Sequence, residues 1–170
     1  MERYVGIDFG TTNSAIALCE GSKVKLSRYE LFGEETLSFR SVLYLSIDEP
    51  ESRTRPGIFA GPSAIEQYLD EGGSGRIIQS LKNFLPNSSF EWTQVLATKF
   101  TLEQLIGHLL TEMRRQVEGQ FGSIGHSAVV GRPVRFAHAR GREQEELALD
   151  RLRAAYAIAG FEEVTFVSSR

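Results

Sequence analysis

A run of small and hydroxyl-bearing residues near the start of the chain has the chemistry of a phosphate-binding turn. Asp8 closes an apolar run and is followed by Gly10, Thr11, Thr12 and Asn13. Gly10 has no side chain to block a ligand oxygen, and successive backbone N–H groups in such a turn can converge on an anion. The Asp8 carboxylate would repel a phosphate unless a cation lay between them, and Mg²⁺ binds carboxylate, water and phosphate oxygens together. The spacing therefore predicts a Mg-nucleotide polyphosphate site on a hairpin.

Other common site chemistries find little support in the sequence. The pattern G-x-x-x-x-G-K-[ST] of nucleotide-binding P-loops does not occur. His108, His126 and His138 are far apart and form no ligand pair. Cys19 lies in a β-like run and is better explained as a small core residue than as a nucleophile. A two-metal nuclease is the least favoured reading, because Asp8 is an early aspartate without a clear carboxylate cluster.

Composition indicates one ordinary globular domain. The chain has 170 residues, of which 41% are hydrophobic and 24% charged. Its formal net charge of -3 offers no electrostatic case for nucleic acid as a partner. No apolar run approaches the length of about 20 residues that spans a bilayer, and the N-terminus lacks the layout of a signal peptide. We therefore expect a cytoplasmic protein with no membrane partner.

The elements that carry the turn begin with a predicted meander. Residues 3–9, 14–19 and 24–29 have strand character and are separated by short turns. A further strand is predicted at 41–47, before a polar loop at 48–57.

The middle of the chain is predicted to hold short elements. A helix begins at Pro62 and stops at the pair Gly72-Gly73. Residues 77–85 form another short apolar face that ends at Pro86, and 90–98 are predicted to be a connection.

The last third alternates long helices with short strands. Residues 101–118 carry apolar side chains on one helical face, with capping-box spacing at their start. A buried strand at 127–131, a helix at 142–159 and a strand at 164–167 follow. This order predicts an α/β fold in which parallel strands extend the antiparallel meander. The abrupt end after the last strand suggests a cut.

Four segments together resemble a known superfamily. The string from Val5 to Ser14 resembles the first phosphate motif of the actin-like ATPases. Residues 79–85 are similar to the segment that carries the catalytic lysine of DnaK-like chaperones, and 128–136 resemble the strand motif that carries their switch proline. Residues 157–161 resemble the helix end before the next motif. Within the superfamily the chain looks most like the DnaK-like heat-shock chaperones, in particular the YegD-type subgroup.

The resemblance implies a fold and a domain organisation. It implies a ribonuclease-H-like mixed sheet with flanking helices and a small inserted subdomain. Residues 1–32 and 99–170 would form the core of the first lobe, and about 33–98 the insertion. The second lobe of the ATPase domain would be absent from this chain.

The resemblance also implies roles for individual residues. Asp8 would hold Mg²⁺ through water and take part in catalysis. The segment Gly10-Thr11-Thr12-Asn13 would cradle the β- and γ-phosphates of ATP or ADP. Lys82 would stabilise the γ-phosphate and orient the attacking water. Pro133 would couple the nucleotide state to the rest of the molecule. Without the resemblance, Lys82 is explained by a solvated helix position and Pro133 by the end of a strand.

Two positions depart from the pattern. Where the family has a glutamate before a proline, the best-aligned residue here is Ser169. The arginine partner of the switch proline aligns near Leu149, with Arg151 two residues away, so its role is not transferred.

The implied function is an ATP-binding and ATP-hydrolysing lobe of a chaperone, with the intact two-lobed protein as the active ATPase. Unfolded polypeptides and co-chaperones would be partners of that whole protein. Two alternatives stay open. A sugar or acetate kinase of the same superfamily would need an acceptor pocket within 33–98, and a non-catalytic nucleotide-sensing module would agree with the serine at 169.

Overall fold

The computed structural model describes residues 3–169 as an α/β fold of sheets and flanking helices. The helices of this part of the chain are α1 (Pro62–Asp70), α2 (Leu102–Phe121) and α3 (Arg142–Ile158), with a short 3-10 helix at Leu81–Phe84. The strands are β1 (Arg3–Phe9), β2 (Asn13–Glu20), β3 (Lys23–Leu26), β4 (Tyr29–Leu31), β5 (Glu34–Thr36), β6 (Phe39–Arg40), β7 (Val42–Ser46), β8 (Gly57–Ala60), β9 (Arg76–Gln79), β10 (Trp92–Val95), β11 (Thr98–Thr101), β12 (Ser127–Pro133) and β13 (Glu163–Ser169).

The main sheet is mixed, as the order of elements predicts. Its strands run in the order β13-β12-β1-β2-β3, and β6 also pairs with β2. The meander pairs β1, β2 and β3 antiparallel, whereas β1, β12 and β13 are parallel. The fold class is thus confirmed as α/β with a mixed sheet and flanking helices, compatible with an actin-like lobe.

The two faces of the main sheet differ in burial. Val5, Ile7 and Phe9 point toward the helices and are at most 3% exposed. The alternate residues of β1 lie on the opposite face, where Tyr4 and Asp8 are exposed. Because successive side chains of a strand alternate between faces, the apolar residues of β1 anchor the strand while Asp8 remains accessible.

The two long helices pack on each other and on the buried face. The apolar residues predicted on one face of α2 are all buried. Thr101 and Gln104 form the predicted capping box, in which each side chain accepts a hydrogen bond from the other residue's backbone N–H (3.2 and 2.9 Å). At the end of α3 the glycine Gly160 has φ 86°, and the amides of Gly160 and Phe161 donate to the carbonyls of Ala157 and Tyr156. This is a Schellman motif, which ends the helix and turns the chain toward β13.

Three local predictions were wrong, and in each case a contact with a distant segment decides the structure. The third meander run divides at Ser27, whose N–H and Oγ both donate to the Ile16 carbonyl at 2.9 Å. The apolar face predicted at residues 77–85 is not one element, because Ile77 and Ile78 pair with β7 in β9 and the 3-10 helix follows. Residues 90–98 contribute to a hairpin, β10 with β11, instead of an irregular connection.

The segment between the meander and α2 has its own sheet, in the order β8-β7-β9, with α1 beside it. Val42, Tyr44 and Ala64 form a small buried cluster there, while Leu43, Leu45, Leu81 and Leu85 belong to the main core. The boundaries of an inserted subdomain at about 33–98 therefore stay a prediction. No helix of residues 3–169 combines the length and apolar character that crossing a membrane requires.

Tyr156 is a buried residue whose hydroxyl group is unfavourable for the stability of the fold. Its ring lies edge-on to Phe161 and Phe166, and its side chain is inaccessible to solvent. Within the described part of the chain, its hydroxyl has no hydrogen-bond partner. Burial raises the pKa of Tyr156, with a smaller contribution from the Asp8 charge. An unpaired buried hydroxyl destabilises the folded state.

We expect Tyr156→Phe to raise the free energy of unfolding by about 1 kcal/mol, because the ring packing stays and the unpaired hydroxyl is removed. Chemical denaturation measures the change. Tyr44→Phe is the matched control and should destabilise, since the Tyr44 hydroxyl donates to Glu71 at 2.6 Å and accepts from the Gly75 amide at 2.8 Å. A clear loss of stability in Tyr156→Phe would contradict this account.

Candidate functional site

The first hairpin, made of β1, β2 and the turn at 10–12, has the tight bend that the sequence predicts. A Cβ atom on Gly10 would lie 2.1 Å from the Asn13 carbonyl oxygen, so no other residue fits without moving the backbone. The Gly10 amide donates to Ser14 Oγ at 3.2 Å. Gly10 therefore lets the two arms of the bend approach each other closely. Its own N–H is already paired within the hairpin.

The tip of this hairpin is held from the neighbouring segment. The Ser41 amide donates to the Thr12 carbonyl at 2.8 Å, and the buried hydroxyls of Ser14 and Ser41 lie 2.8 Å apart. Beside them β6 pairs with β2, which places Arg40 opposite Asn13. These contacts give the turn a defined position although Thr12 and Asn13 are themselves exposed.

Asp8 lies on the open face of the sheet, at the end of β1, with its side chain exposed. Among the described residues no group of three or more His, Cys, Asp or Glu side chains could hold a metal ion. A cation at Asp8 would thus depend on ligands from water and from a bound phosphate. That is the donor set which Mg²⁺ accepts, since it usually keeps several waters and few carboxylates.

Lys82 lies against the same hairpin although 73 positions separate it from Phe9. Its Nζ donates to the Phe9 carbonyl at 2.6 Å. Burial lowers the pKa of Lys82, and the nearby Asp8 charge opposes that change. The structure therefore brings together Asp8, Lys82 and the turn, three features that the sequence analysis assigned to one site.

The backbone that presents Lys82 is anchored on both sides. Leu81 and Leu85 are buried in the main core. Ser80 precedes the 3-10 helix with φ 59°, a left-handed conformation that turns the chain out of β9. A solvated helix position, the alternative explanation for Lys82, does not agree with its half-buried side chain and its bond to Phe9.

Sequence reasoning missed Arg151 as a positioning residue. This largely buried arginine of α3 donates to the carbonyls of Leu85, Asn87 and Phe90 at 3.2, 2.8 and 2.8 Å, and it lies 3.4 Å from a Glu103 carboxylate oxygen. It thereby fixes the segment that follows Lys82. The available signal was a basic residue next to Leu152 and one helical turn from Ala155, two residues on the apolar side of the helix.

Pro133 is the last residue of β12 and pairs with Ser169 of β13. Its position fits strand termination as well as a switch, so the switch stays a prediction. The side chain of Ser169, where the family's acid aligns, lies outside what the structure describes.

A cavity of about 90 Å³ opens beside the turn. Its lining comes from the hairpin and the neighbouring segment and comprises Thr11, Thr12, Arg40, Ser41, Val42, Ile65, Ile77, Gln79 and Ser80. Small-molecule sites usually measure about 300–1,000 Å³. The cavity is therefore one part of a nucleotide-sized site at most.

Comparison with known proteins agrees with a distant relationship. The sequence matches no protein-family model. It is 26% identical, over 149 residues, to the chaperone protein DnaK of Psychrobacter cryohalolentis. The matched region covers 80% of this chain and 22% of that protein. The chain thus spans about a fifth of the length of this curated relative. The match supports a DnaK-like relationship, whereas the YegD-type subgroup and the first-lobe assignment stay predictions.

We expect Arg151→Ala to lower the free energy of unfolding by about 2–3 kcal/mol, because three backbone carbonyls lose a largely buried charged donor. Thermal or chemical unfolding measures the loss. Arg142→Ala is the matched control on the same helix. Its ion pair with Glu146 is exposed, with side-chain accessibilities of 92% and 60%, and such pairs contribute little. Equal effects of the two substitutions would contradict a special role for Arg151.

Proposed function

We propose that this chain forms one wall of an ATP site in a DnaK-like chaperone ATPase, with the first hairpin binding the phosphates. The observation that carries the proposal is the Lys82 ammonium held on the Phe9 carbonyl, beside Asp8 and the turn. A cation fixed at this place can stabilise the charge that shifts during phosphoryl transfer. The distant likeness to a DnaK protein supports the same conclusion.

Each residue has a distinct part in the proposed site. The turn at Gly10-Thr11-Thr12-Asn13 cradles the β- and γ-phosphates through close backbone approach and the two threonine hydroxyls. Lys82 contacts the γ-phosphate and orients the water that attacks it in line. Asp8 holds Mg²⁺ through water, and the metal, when bound, neutralises phosphate charge. The accessible carboxylate of Asp8 on the open face supports this assignment.

The proposal extends to the whole protein. A second lobe would complete the site, since the cavity beside the turn is only about 90 Å³. Hydrolysis would then drive opening and closing of the two lobes, with Pro133 as the coupling element at the end of β12. Unfolded polypeptides and co-chaperones would be its partners in the cytoplasm. The ribonuclease-H-like topology and an inserted subdomain at about 33–98 belong to this same proposal.

Titration of the chain with Mg-ATP, followed by amide NMR, tests the phosphate site. We expect weak, millimolar binding, because one wall provides few of the contacts, with shifts concentrated at Gly10, Thr11 and Thr12. Lys82→Met should abolish them. Lys99→Met is the matched control, because the Lys99 ammonium lies over the Trp92 ring, 3.9 Å from its centroid, on another hairpin. Shifts away from the turn would disprove the proposed site, and micromolar binding would disprove the one-wall assignment.

Stability measurements on the same variant test whether Lys82 is kept for function. Its lowered pKa means that burial penalises the charged form. A group with a lowered pKa in the folded state costs stability below that pKa, and the cost disappears as the pH rises toward the unfolded value. We therefore expect Lys82→Met to unfold at the same temperature as the parent chain or a higher one, at neutral pH. A large decrease would identify Lys82 as a structural residue instead.

A further inference from the structure

A second cation, Arg40 of β6, lies beside the first hairpin, and the sequence motifs do not indicate it. Arg40 lies opposite Asn13 in the pairing of β6 with β2, and its Nη1 donates to Asn13 Oδ1 at 3.1 Å. The bond fixes the guanidinium next to the turn. Arg40 lines the same cavity as Thr11 and Thr12.

The alternation of the strands places Arg40 on the side where a ligand could reach it. Phe9, Ser14 and Phe39 occupy consecutive paired positions and are all buried. Their neighbours on the other face are therefore exposed, and these include Asn13 and Arg40. Asp8 shares that face, since Asp8 pairs with Ala15, two residues along β2 from Asn13.

In the part of the chain that the structure describes, Arg40 has no acidic partner to neutralise it. The ion pairs found among residues 3–169 join other side chains, and none includes Arg40. Its hydrogen bond to Asn13 uses one N–H of a guanidinium that carries five. The remaining donors are free to bind an anion, and a planar guanidinium suits phosphate oxygens in particular.

Lys82 and Arg40 contact different strands of the hairpin. Lys82 bonds to Phe9 of β1, whereas Arg40 belongs to β6, beyond β2. Neighbouring strands are about 4.8 Å apart, so β1 and β6 are separated by about 10 Å where both pair with β2. The two cations themselves are held at different points of the hairpin, Lys82 on the Phe9 carbonyl and Arg40 on the Asn13 side chain. Two separately held cations can each bind a different phosphate group of one ligand.

We propose that Arg40, beside the first hairpin, is a second phosphate-binding cation and that, with Lys82, it selects ligands with a polyphosphate chain over those with a single phosphate. This inference rests on the proposed function, because it assumes that phosphates bind at the turn. It adds a residue and a selectivity that Asp8, Lys82 and the turn do not supply.

Binding of inorganic tripolyphosphate, pyrophosphate and phosphate, each with Mg²⁺, tests the inference by amide NMR of the full chain. The parent chain should prefer tripolyphosphate. Arg40→Ala should weaken tripolyphosphate binding by about tenfold, as expected for a charge-assisted hydrogen bond, and leave phosphate binding almost unchanged. Arg40→Lys should recover part of the affinity, because the charge remains while the planar fork is lost. Thermal unfolding of each variant identifies any loss that comes from misfolding.

Arg53→Ala is the matched control, since Arg53 is an exposed arginine of the loop before β8. If Arg53→Ala and Arg40→Ala lose equal affinity for tripolyphosphate, the net charge of the chain explains the effect and the inference is overturned. If Lys82→Met abolishes binding while Arg40→Ala binds like the parent chain, the inference is wrong and the proposed function stands. If the parent chain binds none of the three probes, the proposed function itself fails, and the inference fails with it.

Discussion

The candidate site depends on one contact, the hydrogen bond from Lys82 Nζ to the Phe9 carbonyl at 2.6 Å. It joins the 3-10 helix at Leu81–Phe84 to the end of β1, and so it brings a cation to the turn that follows. An ammonium group that gives up part of its hydration needs a strong acceptor. The Phe9 carbonyl provides that acceptor, and the Asp8 charge lies close enough to favour the ammonium further.

This contact requires support from the rest of the fold. Leu81 and Leu85 anchor the lysine-bearing segment in the core, and Arg151 of α3 holds the carbonyls that follow it. On the other side, Ser41 holds the tip of the hairpin through its amide and its hydroxyl. The lysine and the turn are therefore each fixed by other elements before any ligand binds. Such preorganisation reduces the ordering cost of binding.

The positions of polar residues on the open face have a common origin in the pleat of the sheet. Buried Phe9, Ser14 and Phe39 fix the register of three neighbouring strands. A shift by one residue would exchange the two faces and bury Asp8 and Arg40 without partners. The buried residues thus determine which side chains lie on the accessible face of the sheet.

Local pattern was sufficient for much of the fold and for the turn itself. The alternation in residues 3–9 predicted β1, the apolar face of 101–118 predicted α2 with its capping box, and Asp8 with Gly10 indicated the phosphate chemistry. These features depend on hydrophobic periodicity, on helix-capping residues and on a glycine at position 10. All three can be read from a short segment of the sequence. The division of residues 77–85, the hairpin of β10 and β11 and the positions of Arg151 and Arg40 depend on partners far along the chain. Strand pairing with β7 and β2, and burial against α3, supply the free energy that decides them, so only the tertiary structure could reveal them.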